Sequence, residues 1–177
     1  GLVFDEQGRV RYFQVNDRSL PAANTKRSGF YLRRPGDDQR FLFAGELELQ
    51  RPGVATFRGR VPGTQIAATI SSQRDLVVVD ATVSNMGPKP QAVVIGFNLP
   101  INALGWRFGD GPDRSREITR TGRFENWAVA DDRPAGRRIN RGLFTPLFER
   151  TQGLGIGVEP DQSRIFRVAY QGGVGLD

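Results

Sequence analysis

Apolar and polar residues alternate with a period of two along most of this chain, in short runs broken by glycine and proline. That is the signature of half-buried β-strands joined by turns. Residues 2–15, LVFDEQGRVRYFQV, read as two such runs around a turn at Gly8. Residues 29–61 repeat the theme, with Pro35-Gly36 and Pro52-Gly53 as turn markers. Each pair suits the central positions of a type II turn, where proline presets the first φ and glycine supplies the positive second one. In TFRGRVPGTQIAATISS (56–72) the segment VPGT, 61–64, is the expected turn of a hairpin.

DLVVVDATVSN (75–85) sets Leu76 and Val78 against Val77 and Val79, with Ala81 and Val83 following on one face. The pattern predicts a strand buried on at least one side. After the loop NMGPKPQ (85–91) comes AVVIGFNLPI (92–101), the most apolar run in the chain. So short a connection predicts that these two strands pair as an antiparallel hairpin. Further strands are expected near 143–149, 154–159 and 164–170. No segment holds a 3.6-residue apolar period over three turns, and 22 glycines with 11 prolines interrupt any long helix. The predicted fold is all-β, an antiparallel β-sandwich with little or no helix, built by residues 1–177 as a single domain. The chain opens at Gly1-Leu2-Val3-Phe4 and closes at Gly175-Leu176-Asp177 in mid-pattern, which reads as a domain excised from a larger protein.

Residues 105–141 break the alternation. They hold nine arginines, six acids and both tryptophans, and read either as a long elaborated loop or as irregular edge strands. Loops of that length in compact domains are usually functional or disordered. The segment begins with GWRFGDGPDRSREI (105–118) and continues through RFENWAVADD (123–132). An indole face stacks on the C–H face of a sugar ring, while arginine and carboxylate groups bind its hydroxyls. The candidate ligand-binding residues are therefore Trp106, Arg107, Asp110, Asp113 and Trp127. The alternative is that both tryptophans pack over an open end of the sandwich.

Other chemistries find less support. Asp110, Asp113 and Glu117 lack the alternate-residue spacing of a calcium loop. The arginines among them predict salt-bridged turn acids, and no metal site is expected. Glu117 with Glu125, or Asp131 with Asp132, offers the carboxylate pair a glycosidase needs, but separation in space is not readable from sequence. There is no G-x-x-x-x-G-K-[ST] phosphate loop. GLGIGVEP (153–160) reads instead as a strand whose Gly155 and Gly157 share a face and permit close sheet packing.

Composition narrows the field further. The chain has no cysteine and no histidine. Disulfides, thiolate zinc sites, histidine proton shuttles and imidazole ligands are thereby excluded, and no cofactor is implied. The net charge is +6, carried almost wholly by arginine, since Lys26 and Lys89 are the only lysines. Acidic residues are interspersed among the arginines without a basic block, which argues against a nucleic-acid partner. No run approaches the roughly 20 apolar residues of a membrane span, so no membrane partner is expected.

DATVSNMGPKPQAVVIGFNLPINALGWRFGDGPDRSREI (80–118) resembles the large β-supersandwich domains of the galactose-mutarotase-like fold that accompany bacterial glycoside hydrolases. In those domains a strand ending in a V-S-N type sequence leads through a loop to a strand ending in leucine-proline, and then to a tryptophan-bearing segment. GLVFDEQGRVRYFQVNDRSL (1–20) is similar to their opening hairpin, and GLGIGVEPDQSRIFRVAYQ (153–171) to their closing strands. The resemblance covers about half of the chain. It implies a sandwich fold and an extracellular or periplasmic setting. The aldose epimerases of this fold use histidines to bind and protonate the sugar and a glutamate as base. A chain without histidine cannot inherit that activity, and no catalytic residue is carried over. What remains is the role of the non-catalytic members, to bind glycan or to support a neighbouring catalytic domain. The expected partners are a glycan and that neighbouring domain. The competing readings are a structural or protein-interaction domain and a carboxylate-based glycosidase.

Overall fold

The computed structural model describes residues 1–15, 18–20, 25–111, 114–130, 144–158 and 164–176, and among the residues of its strands the side chains of Val15, Arg18, Asp110, Trp127, Ala128, Val129, Ala130, Arg164 and Ile165 lie outside the description. The fold is all-β and antiparallel, with one 3-10 turn at Thr25–Arg27 as its helical content among the described residues. It divides into two compact units, Gly1–Pro100 and Ile101–Asp177.

The first unit contains β1 (Leu2–Phe4), β2 (Val10–Val15), β3 (Arg18–Leu20), β4 (Gly29–Arg33), β5 (Phe41–Leu42), β6 (Ala44–Arg51), β7 (Val54–Val61), β8 (Thr64–Gln73), β9 (Leu76–Asn85) and β10 (Val94–Asn98). They form three sheets, ordered β1-β2-β3, β10-β4-β5 and β6-β7-β8-β9. Turn chemistry sets the connections. Gly36, Gly53 and Gly63 all have φ near +78°, a conformation that costs glycine nothing, as their Pro-Gly placement predicts. The second and third sheets face each other as a sandwich. Phe30 and Leu32 of β4 meet Phe57 of β7 and Ile66, Ala68 and Ile70 of β8, with Phe97 of β10 packed against this cluster. Phe30 stacks on Phe57 with ring centroids 5.3 Å apart, and Phe97 is tilted against Phe30 at 4.7 Å.

Two expectations for this unit are corrected. The strand after the 85–91 loop does not pair with the one before it. β10 pairs with β4 from Val94↔Arg33 to Asn98↔Gly29, while β9 pairs with β8 from Thr64↔Asn85 to Gln73↔Leu76. The loop carries Pro88 and Pro90, which have no N–H to donate to a hairpin ladder, and it passes the chain from one sheet to the other. The Asn85 side chain closes its start, accepting from Gly87 N at 3.0 Å and donating to Lys89 O at 2.7 Å. Nor is β9 buried on one side. Leu76, Val77 and Val79 are all exposed, because the opposing sheet covers β7 and β8 and stops short of this edge.

The second unit contains β11 (Arg107–Gly111), β12 (Arg114–Glu117), β13 (Arg123–Ala130), β14 (Phe144–Phe148), β15 (Gly153–Gly157), β16 (Arg164–Gln171) and β17 (Gly175–Leu176). Its sheets are ordered β12-β11-β14-β15 and β13-β16-β17. Phe108 of β11 meets Phe124 of β13 at 5.8 Å, and Phe124 meets Tyr170 of β16 at 6.4 Å. Leu147, Val168, Ile118 and Leu176 complete this interior. Two buried hydrogen bonds align its parts. Asn126 Nδ2 of β13 donates to Thr145 Oγ1 of β14 at 2.8 Å, tying one sheet to the other. Ala103 N donates to the Tyr170 hydroxyl at 3.0 Å. Among its described residues the arginine-rich segment is mostly strand: β11 and β12 form a hairpin, and β13 is an edge strand. Residues 131–143 lie outside the description.

Candidate functional site

Trp106 is a packing residue. It is 7% exposed, and its backbone anchors the base of the β11–β12 hairpin. Trp106 N donates to Ala103 O at 3.0 Å, and Trp106 O accepts from Ile118 N at 2.7 Å. The indole has no free face to stack on a sugar. Trp127 sits in β13 opposite Arg167, its side chain outside the description. Asp110 belongs to β11, and Asp113 lies outside the described residues.

Arg107 is the sequence candidate that the structure places on an accessible surface. It starts β11, paired with Glu117 on one side and Phe148 on the other. Its Nε donates to Ser115 Oγ at 2.8 Å and its Nη2 to Ser115 O at 3.0 Å, which holds the guanidinium along the sheet with donors left over. Beside it Glu117 is exposed and has no hydrogen-bond or ion-pair partner among the described residues. Sequence predicts a salt-bridged acid there. Instead the nearest arginine spends its directed hydrogen bonds on Ser115.

Side chains alternate across a strand, so Arg107 and Glu117 share the outer face with Phe148, Pro146 and Phe144, while Phe108, Thr145 and Leu147 point inward and are buried. The glycines of the next strand make this face low. Phe144, Pro146 and Phe148 pair with Gly157, Gly155 and Gly153 in turn. The Phe144 ring lies over Gly155, where any β-carbon would overlap it, and Pro146 Cγ stands 2.6 Å from where a Gly109 β-carbon would be. Phe144 is nonetheless 59% exposed and Phe148 37%. A ring resting on a glycine backbone with that much exposure has one face on the sheet and the other toward solvent. From Phe144 to Phe148 the strip runs about 14 Å, at roughly 3.4 Å per strand residue.

This aromatic strip was not among the sequence candidates, although its signal is present. FTPLF alternates aromatic or proline with inward residues, opposite a GLGIG strand whose glycines fall at the same period. Gly155 and Gly157, expected to permit close sheet packing, lie exposed on the outer face, where Gly155 instead seats the ring of Phe144.

A concavity in the first unit is a groove of about 670 Å³ bordered by Asp5, Glu6, Arg9, Arg11 and Lys26. Its chief acid is spent on structure. Asp5 Oδ1 accepts from Gln7 N and Arg9 N at 3.0 and 2.9 Å, holding the β1–β2 turn, and Asp5 Oδ2 meets Arg11 at 3.4 Å. Of the carboxylate pairs considered for hydrolysis, Glu125 is bridged by Arg123 and by Arg167 Nη1, the latter at 3.3 Å, and Asp131 and Asp132 lie outside the described residues. Among the described residues no three His, Cys, Asp or Glu side chains converge on a metal position. None of the protein-family models, curated proteins or solved structures compared with the chain matches it.

Proposed function

We propose that this chain is a non-catalytic glycan-binding module of a carbohydrate-active protein, and that sugar is held on the outer face of the β12-β11-β14-β15 sheet. One observation carries the reading: the exposed rings of Phe144 and Phe148 share a face with the open donors of Arg107 and the unpartnered carboxylate of Glu117. Apolar sugar faces stack on rings, and hydroxyls need directed donors and acceptors at the rim. The strip supplies the first and the Arg107–Glu117 pair the second. A flat face of this kind suits an extended chain rather than a small sugar, which needs an enclosing pocket. The resemblance to sandwich domains that accompany glycoside hydrolases points the same way.

The test is a screen over neutral and acidic glycans, followed by titration calorimetry on hits. Phe144→Ala and Phe148→Ala should each weaken binding by about tenfold, the loss of one stacking ring. Arg107→Ala should also weaken it, whereas Arg74→Ala, in the first unit, should not. Absence of any hit, or a hit indifferent to all three substitutions, refutes the assignment.

A further inference from the structure

β9 is the far edge of the β6-β7-β8-β9 sheet, and among the described residues no strand pairs with its outer side. Such edges are normally blunted by charge, proline or a bulge, since an open row of N–H and C=O groups templates further pairing. The opposite edge of this same sheet is blunted. β6 has a register break between Leu49 and Arg51 and carries Glu46, Glu48 and Arg51. β9 has none of this. Its ten residues pair with β8 without a break, it contains no proline or lysine, and Asp80 is its single charge.

Most of the inner face of β9 is also bare, with Val83 near its end packed against the core cluster. Val79 and Ala81 stand directly opposite Ile70 and Ala68 of β8. Those two are buried, while Val79 is 39% exposed and Ala81 and Val77 are exposed as well. An apolar strip that continues the core of the sheet is left open along an unguarded edge.

We propose that β9 is a homodimer interface, in which two copies pair edge to edge into one continuous eight-stranded sheet. The strand itself selects this occupant and its register. A two-fold axis perpendicular to the sheet makes the pair antiparallel and keeps both inner faces on one side, so an inner residue must face an inner residue. Two such registers overlap the strands almost fully. One sets Asp80 opposite its own copy, which places like charges in direct opposition. The other sets Ala81 opposite its own copy, Asp80 opposite the Thr82 hydroxyl, and Val79 opposite Val83. The second register gives the carboxylate a hydroxyl donor and sets the exposed Val79 of each copy against the core-packed Val83 of the other, so the two inner faces join into one apolar band.

Sedimentation equilibrium over a concentration series tests the association, and cysteine capture tests the register. The chain has no native cysteine, so a single introduced thiol reports without background. Ala81→Cys sits on the axis and should be captured as a covalent dimer by oxidation or a short bis-thiol linker, whereas Thr82→Cys, which faces Asp80, should not. Thr82→Lys creates two cross-strand pairs with Asp80 and should tighten the dimer roughly five-fold at low salt, and Thr82→Asp should loosen it comparably. All these positions are exposed, so the fold is retained. A monomer at every concentration overturns the interface, and capture at residue 82 equal to that at residue 81 overturns the register.

Discussion

The ring of Phe144 lies across the backbone of Gly155 on the neighbouring strand, in space that any side chain at position 155 would take. The glycine lets the ring lie flat and turn its free face to solvent. Gly155→Ala should therefore lift the ring from the sheet. Because Phe144 is exposed and free to rotate, unfolding stability should change by about 0.5 kcal/mol or less. Affinity for any glycan bound on this face should fall as far as in Phe144→Ala. Paired calorimetry and urea melts separate the two effects.

Gly96 offers the same geometry with the opposite expectation. A β-carbon there would overlap the ring of Tyr31 on the paired strand. Tyr31 is buried, with Arg40 stacked 4.6 Å over its ring centroid, so this ring cannot swing out as Phe144 can. Gly96→Ala should cost about 1–3 kcal/mol, the usual penalty for overpacking. A urea midpoint lowered at unchanged m-value would register it.

Thr145 is fully buried and accepts the Asn126 hydrogen bond that joins the two sheets of the second unit. Thr145→Val keeps the shape and removes the acceptor. The expected loss is about 1–3 kcal/mol, the cost of leaving a buried donor without its partner. Chemical denaturation of the variant measures it.

Tyr170 couples stability to alkaline pH. Burial pushes its hydroxyl above the ordinary tyrosine value, and the hydrogen bond from Ala103 N, which favours the anion, only partly opposes this. The folded state thus holds the proton more tightly than the unfolded chain does. The resulting stabilisation is complete below a pH of about 10 and is lost as pH rises through that value toward the raised folded one. Tyr170→Phe should be less stable at neutral pH by about 1–3 kcal/mol, because the Ala103 N–H loses its acceptor. It should also lack this tyrosine's share of the alkaline decline. Melts across the alkaline range for both proteins give the comparison.

The alternation of apolar and polar residues, and the Pro-Gly pairs with their positive φ at Gly36, Gly53 and Gly63, determined where strands run and where they turn. These are local properties, for a dihedral angle or a side-chain face depends on the residue and its immediate neighbours. Tertiary structure alone decided which strands pair and which apolar residues are covered. β10 reads as the natural partner of β9, yet it pairs with β4 across the sandwich. Trp106 carries the residue type of a sugar platform and is buried, while Phe144 and Phe148, ordinary strand aromatics by pattern, lie open beside Arg107. Val77 and Val79 look like core and stand at an uncovered edge. Hydrophobic burial has no direction of its own, so a strand shows which of its faces is apolar, and only the extent of the opposing sheet settles whether that face is covered.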